Sequence, residues 1–176
     1  MKYGPAMIKT ALAVVALAMS VASCDSGHEC TKVVPPSELD AVDKAQLEID
    51  NKIIDDYLIA NDIENTLGPV QEVNGIKYVV TKEGSGVTPC LENTVVVTYT
   101  GKLLSDGTTF DRNLSGVSFT LNNLILGWRL TFPSFTKGTS VTLFVPSGYA
   151  YGPSGFPPRI PPNANLLFTV DITNVR

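Results

Sequence analysis

Two periodicities divide the chain. Leu39, Val42, Leu47, Ile49, Ile53, Ile54, Tyr57 and Leu58 recur near helical spacing, and Asp43, Lys44, Glu48, Asp50, Lys52, Asp55 and Asp56 take the other positions. This pattern predicts an amphipathic helix over residues 37–62, with Ser37 as its cap and Asp40 three residues on. Its apolar stripe is expected to dock on the neighbouring domain, with a dimer through 37–62 as the alternative; the acidic polar face argues against a membrane surface. From Gly75 onward the period changes to two. Val95, Val97 and Tyr99 alternate with Val96, Thr98 and Thr100; Val141, Leu143 and Val145 alternate with Thr142 and Phe144; Phe168, Val170 and Ile172 alternate with Thr169, Asp171 and Thr173. These are strands with one face toward a core, and 76–81 and 117–121 predict two more. Asp106-Gly107 predicts a tight turn. Five strands with little helix between them predict an antiparallel sheet.

The first residues follow neither period. Lys2 and Lys9 flank an uncharged start, then an apolar run from Thr10 to Ala22 ends in Val21-Ala22-Ser23-Cys24. A basic start, a short apolar core and small residues predict a secretory signal over 1–23, since a transmembrane helix needs roughly 20 apolar residues. The last four residues match a bacterial lipobox, which would make Cys24 the lipid attachment site. Ordinary cleavage near Ala22 is the alternative. Residues 24–36 then read as a flexible tether, and 63–75 as a linker to a domain over 76–176. The expected location is the cell envelope, lipid-anchored to the bilayer through Cys24 and facing the periplasm or the exterior.

Composition narrows the function. The chain is 44% hydrophobic and 17% charged, which excludes a disordered chain. Its 13 basic and 17 acidic residues form no basic cluster, so no nucleic-acid partner is expected. Removing residues 1–23, which carry Lys2 and Lys9 and no acid, leaves 11 basic and 17 acidic residues. One histidine, His28, and three scattered cysteines predict no metal site, and no cofactor is expected. If Cys24 is acylated, Cys30 and Cys90 are the only pair left; export permits a disulfide, but nothing in the spacing argues for one.

With His28 outside the domain no Ser-His-Asp set can form, no phosphate loop occurs, and the acids of the strand region, Asp106, Asp111 and Asp171, are spread out with no paired spacing. What remains is a set of aromatic residues near turns: Tyr99, Phe110, Phe119, Trp128, Tyr149, Tyr151, Phe156 and Phe168. They accompany the Pro-rich run from Gly152 to Pro162. They predict either an apolar pocket suited to a proline-containing ligand or simple core packing.

The order of several blocks carries more. Val95-Val96-Val97-Thr98-Tyr99-Thr100-Gly101 is followed by Gly107-Thr108-Thr109-Phe110-Asp111, Phe119-Thr120-Leu121 and Leu124-Ile125-Leu126-Gly127-Trp128. Then come Val145-Pro146, Tyr149-Ala150-Tyr151-Gly152, Ile160-Pro161-Pro162-Asn163-Ala164 and Leu167-Phe168-Thr169-Val170. In order and spacing this series resembles the FKBP family of peptidyl-prolyl cis-trans isomerases over residues 76–176.

The resemblance implies an α+β fold, with a curved antiparallel sheet (a half-barrel) wrapped around one short helix near Trp128 and preceded by the amphipathic helix. It implies an isomerase of Xaa-Pro bonds in exported proteins, with proline-containing substrates and macrolide inhibitors as partners. Tyr99, Asp111 and Tyr151 are its implied catalytic residues. Phe110, Val117, Phe119, Leu124, Ile125, Trp128, Phe156, Ile160 and Phe168 are its implied substrate-binding residues, with Trp128 as the floor. Arg129 stands where many members carry an acid, and Pro133 is expected to end the short helix. A non-catalytic module that holds proline segments, or a chaperone, is the alternative function.

Overall fold

Alternation from Gln71 onward builds one open antiparallel sheet of six strands: β1 (Gln71–Val73), β2 (Ile76–Lys82), β3 (Thr94–Leu103), β4 (Thr109–Thr120), β5 (Ser140–Val145) and β6 (Leu166–Val175). The spatial order is β1-β2-β5-β6-β3-β4. The structure, a computed structural model, describes residues 30–176. The expected signal, Cys24, His28 and the start of the tether lie outside the described residues. Among those described, no helix is long and apolar enough to cross a membrane.

The sheet wraps its inner face around the short helix α4 (Leu126–Thr131), whose Trp128 and Leu130 join Ile76, Val95, Val97, Leu143, Val170 and Ile172 in one core. Helix α4 stops as Pro133 implied: Phe132–Ser134 is a 3₁₀ turn with the proline in its first positions. The Asp106-Gly107 turn closes the β3–β4 hairpin, with Gly107 at φ 73° and the Asp106 carboxylate accepting from the Thr108 amide at 2.8 Å.

Strand β4 is longer than the 117–121 expected. Between the pairs Val97–Val117 and Tyr99–Asn113, two steps along β3 match four along β4, so Leu114, Ser115 and Gly116 bulge out. Gly116 takes a positive φ of 92° there. The bulge breaks the two-residue period by which the strand would have been recognised, and it increases local bend and twist.

The segment over 37–62 is two helices rather than one. Helix α1 (Pro36–Asp40) ends, and Asp43, not Ser37, caps α2 (Lys44–Ala60) by accepting from the Ala45 and Gln46 amides at 2.9 and 3.2 Å. The expected linker carries helix α3 (Ile63–Thr66) and strand β1. Helices α2 and α3 cover the outer face of the sheet, where Ile54 and Ile63 pack with Val79, Leu104 and Phe144. Burying Ile54 contributes roughly 1.5–3 kcal/mol. The part of the stripe around Ile54 therefore docks on the sheet. Ile49 and Ile53 fall on the exposed side, and Asp50, expected on the polar face, is fully buried. With a helix on each face, β5 is buried along nearly its whole length, Phe144 outward and Leu143 inward.

Residues 30–36 are not a free tether. A disulfide joins Cys30 to Cys90 with a Cα–Cα distance of 5.2 Å. The Leu91 amide donates to the Thr31 carbonyl at 2.7 Å, and Val34 lies in the core.

Candidate functional site

Three strands place the walls. Gly101 of β3 lies opposite Asp111 of β4 on one side and Phe168 of β6 on the other, and Tyr99 shares its face of β3 two residues earlier. Gly101 is required at this crossing. A Cβ there would stand 2.6 Å from the Phe110 ring and 3.0 Å from that of Phe168. Without it, those rings meet edge to face at a centroid distance of 5.6 Å. We predict that Gly101→Ala pushes Phe110 outward, costs about 1–3 kcal/mol of stability as overpacking, and weakens ligand binding. A denaturation curve and a ligand titration of the variant check both effects.

The floor comes from α4. Its first turn follows directly on Leu124-Ile125, and the Trp128 amide donates to the Ile125 carbonyl at 3.0 Å. Trp128 is 3% exposed and packs against Phe132 below it at 4.7 Å. Above it, Tyr99, Phe119 and Phe168 present their rings nearly perpendicular to the indole at 5.6, 6.4 and 5.3 Å.

The result is a cavity of about 320 Å³ lined by Tyr99, Phe110, Asp111, Phe119, Asn123, Leu124, Ile125, Trp128, Tyr151 and Phe168. It is at the small end of the roughly 300–1,000 Å³ that ligand pockets occupy. The three residues implied as catalytic all line it. Of those implied to bind substrate, Val117, Phe156 and Ile160 do not. Val117 shares the face of Phe119 but packs against the core beside the cavity. Ile160 is buried under the loop at 2% exposure, where it pairs with Phe156 through their backbones. Phe156 is 58% exposed and touches the outer side of Tyr151 at 5.6 Å. Asn123 was not foreseen; its position beside Leu124 in the chain was the only sequence signal for it.

The polar groups sit at the rim. The Tyr99 hydroxyl donates to Asp111 Oδ2 at 2.5 Å, while Oδ1 accepts from the Arg112 amide at 2.9 Å. The carboxylate is thus held at both oxygens. Burial, then the hydrogen bond to Asp111, pushes the Tyr99 phenol well above its ordinary value. Burial, with the Asp111 charge second, raises Tyr151 as well. Both hydroxyls therefore keep their protons at neutral pH and can act as donors. Tyr78 and Tyr149 are also raised by burial. A raised phenol keeps its proton in the native state after the unfolded state has lost it. Its stabilising contribution is full below the ordinary value of 10.0 and is lost as pH rises through the folded value. Stability is accordingly expected to fall above about pH 10, and less steeply in Tyr99→Phe; urea midpoints at pH 9 and 11 measure both.

Arg129 has a partner on the N-terminal side, since both of its terminal nitrogens donate to the Glu38 carboxylate, at 2.5 and 2.8 Å. That fork lowers the Glu38 carboxyl below its ordinary range. Among the described residues, no group of three or more His, Cys, Asp or Glu side chains is placed to hold a metal ion.

Comparison with known proteins places this cavity in a family context. Residues 85–173 match the FKBP-type peptidyl-prolyl cis-trans isomerase family. The chain is 35% identical over 105 residues to the probable FKBP-type peptidyl-prolyl cis-trans isomerase FkpA of Neisseria meningitidis, a match covering 58% of this chain and 38% of that protein. It is 33% identical over 125 residues to the outer membrane protein MIP of Legionella longbeachae, covering 69% of this chain and 52% of the relative. The chain thus spans about two fifths to one half of these relatives' length. Among solved structures, a peptidyl-prolyl cis-trans isomerase of Pseudomonas syringae superposes with a TM-score of 0.62 at 26% identity, over 81% of this chain and 97% of that one.

Proposed function

The chain belongs to the FKBP-type peptidyl-prolyl cis-trans isomerase family, and from that premise we propose that its cavity grips the proline of an Xaa-Pro segment and speeds rotation about the bond before it. The observation that carries this reading is the convergence of Tyr99, Phe110, Asp111, Trp128, Tyr151 and Phe168 on one small cavity. These residues are scattered along the chain, and core packing alone would not leave a hollow between them.

The chemistry requires no nucleophile. The rotation barrier of about 18–20 kcal/mol comes from C–N double-bond character, and uncatalysed exchange takes roughly 10–100 s. Double-bond character belongs to a charge-separated form that water favours. The aromatic walls replace that water with apolar surface and weaken the ground state's advantage. As the amide twists, its nitrogen becomes pyramidal and more basic and its carbonyl loses conjugation. The Tyr151 hydroxyl is the donor for a substrate carbonyl, and the Asp111 carboxylate, steadied by Tyr99, is the polar group beside the twisting bond. Interactions stronger in the twisted state than in the planar one lower the barrier, and each 1.4 kcal/mol gives about tenfold.

The substrates in this reading are exported proteins, and the anchor is an acylated Cys24. The lipobox-like run Val21-Ala22-Ser23-Cys24 and the outer-membrane name of the Legionella longbeachae relative support that location. Macrolides of the FK506 type are the expected inhibitors, filling the same cavity. The test is the refolding of a protein whose slow phase is limited by proline isomerisation. The chain is expected to accelerate that phase, and a macrolide is expected to abolish the gain. Suppressed aggregation with an unchanged slow phase would instead favour a holding module.

A further inference from the structure

Among the described residues, Asp50 is the only charged side chain in the buried interior. Taking a carboxylate out of water is costly unless donors replace the water. Here they do. Asp50 Oδ1 accepts from the Gln46 amide nitrogen at 2.9 Å, and Oδ2 accepts from the Ser147 hydroxyl at 2.6 Å and from the Gly148 backbone at 3.4 Å. The backbone carbonyl of Asp50 accepts from Asn165 Nδ2 at 3.5 Å, and Asn165 Oδ1 in turn accepts from the Ser147 amide at 2.9 Å. Ser147 and Asn165, the two feet of the loop that carries Tyr149, Tyr151 and the Pro-rich turn, are therefore tied together at residue 50 of helix α2.

The path from this knot to the cavity is short. Ser147–Tyr149 is a 3₁₀ turn, and the Ala150 amide donates to the Ser147 carbonyl at 2.9 Å. Tyr151 follows directly and lines the cavity. The turn that leads into helix α2 is close-fitted at the same place: a Cβ on Gly148 would stand 2.9 Å from Val42. Docking α2 on the sheet requires only apolar residues such as Ile54. A buried carboxylate adds no docking strength that a leucine would lack, but it fixes direction, because its donors must meet it at set angles.

We propose that Asp50 is a positioning residue for the site: through Ser147 and Gly148 it sets where Tyr151 stands at the mouth of the cavity, which makes helix α2 part of the isomerase rather than a spacer before it. This role rests on the isomerase reading above.

The test is a double-mutant cycle on peptide isomerisation with the full chain. Asp50→Leu removes the acceptor and is expected to lower kcat/KM about tenfold, the scale of one lost positioned hydrogen bond. Asp50→Asn keeps an acceptor for Ser147, with the Gln46 amide turning to serve the other side, and retains most of the rate. In a Tyr151→Phe background, itself slower, Asp50→Leu is expected to cost less than about twofold, because the two changes act through one group. Equal losses in both backgrounds, or full rate in Asp50→Leu, overturn the role. If Asp50→Leu does not fold, Ser147→Ala cuts the same bond from the loop side and is read by the same criterion. A folded wild-type chain without turnover would overturn the isomerase reading, and this role with it; full turnover in Asp50→Leu would overturn only the role.

Discussion

Reducing the Cys30–Cys90 bond is expected to lower the stability of the folded chain by about 4 kcal/mol, the loop-closure entropy of a cross-link spanning 60 residues. Against the roughly 5–15 kcal/mol by which native domains are stable, that is a large fraction. The bond holds a segment with few other ties. Past Cys30, the chain is fixed mainly by the hydrogen bonds of Thr31 with Leu91 and Glu92, Val34 in the core and the Glu38–Arg129 fork. Without the cross-link these contacts must offset the ordering entropy of residues 30–36 unaided. Urea denaturation with and without reductant, or of a Cys30→Ser/Cys90→Ser chain, measures the difference. A shift under about 1 kcal/mol would mean that the unfolded chain gains little freedom on reduction, contrary to the loop-closure model.

Asp111→Ala is expected to slow isomerisation about 10- to 100-fold with little change in stability. Hydrogen bonds to a charged group contribute roughly 1.5–3 kcal/mol, and each 1.4 kcal/mol is tenfold in rate. The carboxylate meets two donors and stands at the rim of the cavity beside the expected position of the twisting amide. The residue is exposed, so its removal leaves no buried void and the fold should tolerate it. Tyr99→Phe deletes only the hydroxyl that steadies it, and is expected to cost less, about tenfold at most. Stopped-flow turnover of a Leu-Pro peptide, alongside urea curves, separates rate from stability. If both variants stay within about twofold of wild type, neither side chain acts in the reaction.

Strands β3, β5 and β6 were legible because an apolar residue recurs at every second position over most of each: Val95, Val97 and Tyr99; Val141, Leu143 and Val145; Phe168, Val170 and Ile172. Strand β4 was not, because the bulge at Leu114–Gly116 breaks the period, and β1 is three residues long. The helix before the sheet was legible as amphipathic but not in its details. A periodic pattern cannot show that an acid faces inward, as Asp50 does, because two of the three donors that permit it lie about 100 residues away, at Ser147 and Gly148. The disulfide was equally invisible, since it depends on how residues 30–36 lie against Leu91. The cavity-lining residues were found through the ordered series of blocks rather than through any local pattern. Where residues of that series lie off the cavity lining, the reason is depth. Val117 and Phe119 share a strand face, yet only Phe119 reaches the cavity. Ile160 and Phe156 bracket one turn, one beneath it and one outside.

The measurement that bears most directly on the central claim is the cis–trans exchange rate of an Xaa-Pro peptide, followed by NMR exchange spectroscopy with the full chain present. Exchange well above the uncatalysed rate is expected, falling back toward it when a macrolide fills the cavity or when Phe168→Ala removes a wall. A properly folded chain that leaves the exchange rate where buffer alone sets it would contradict the account.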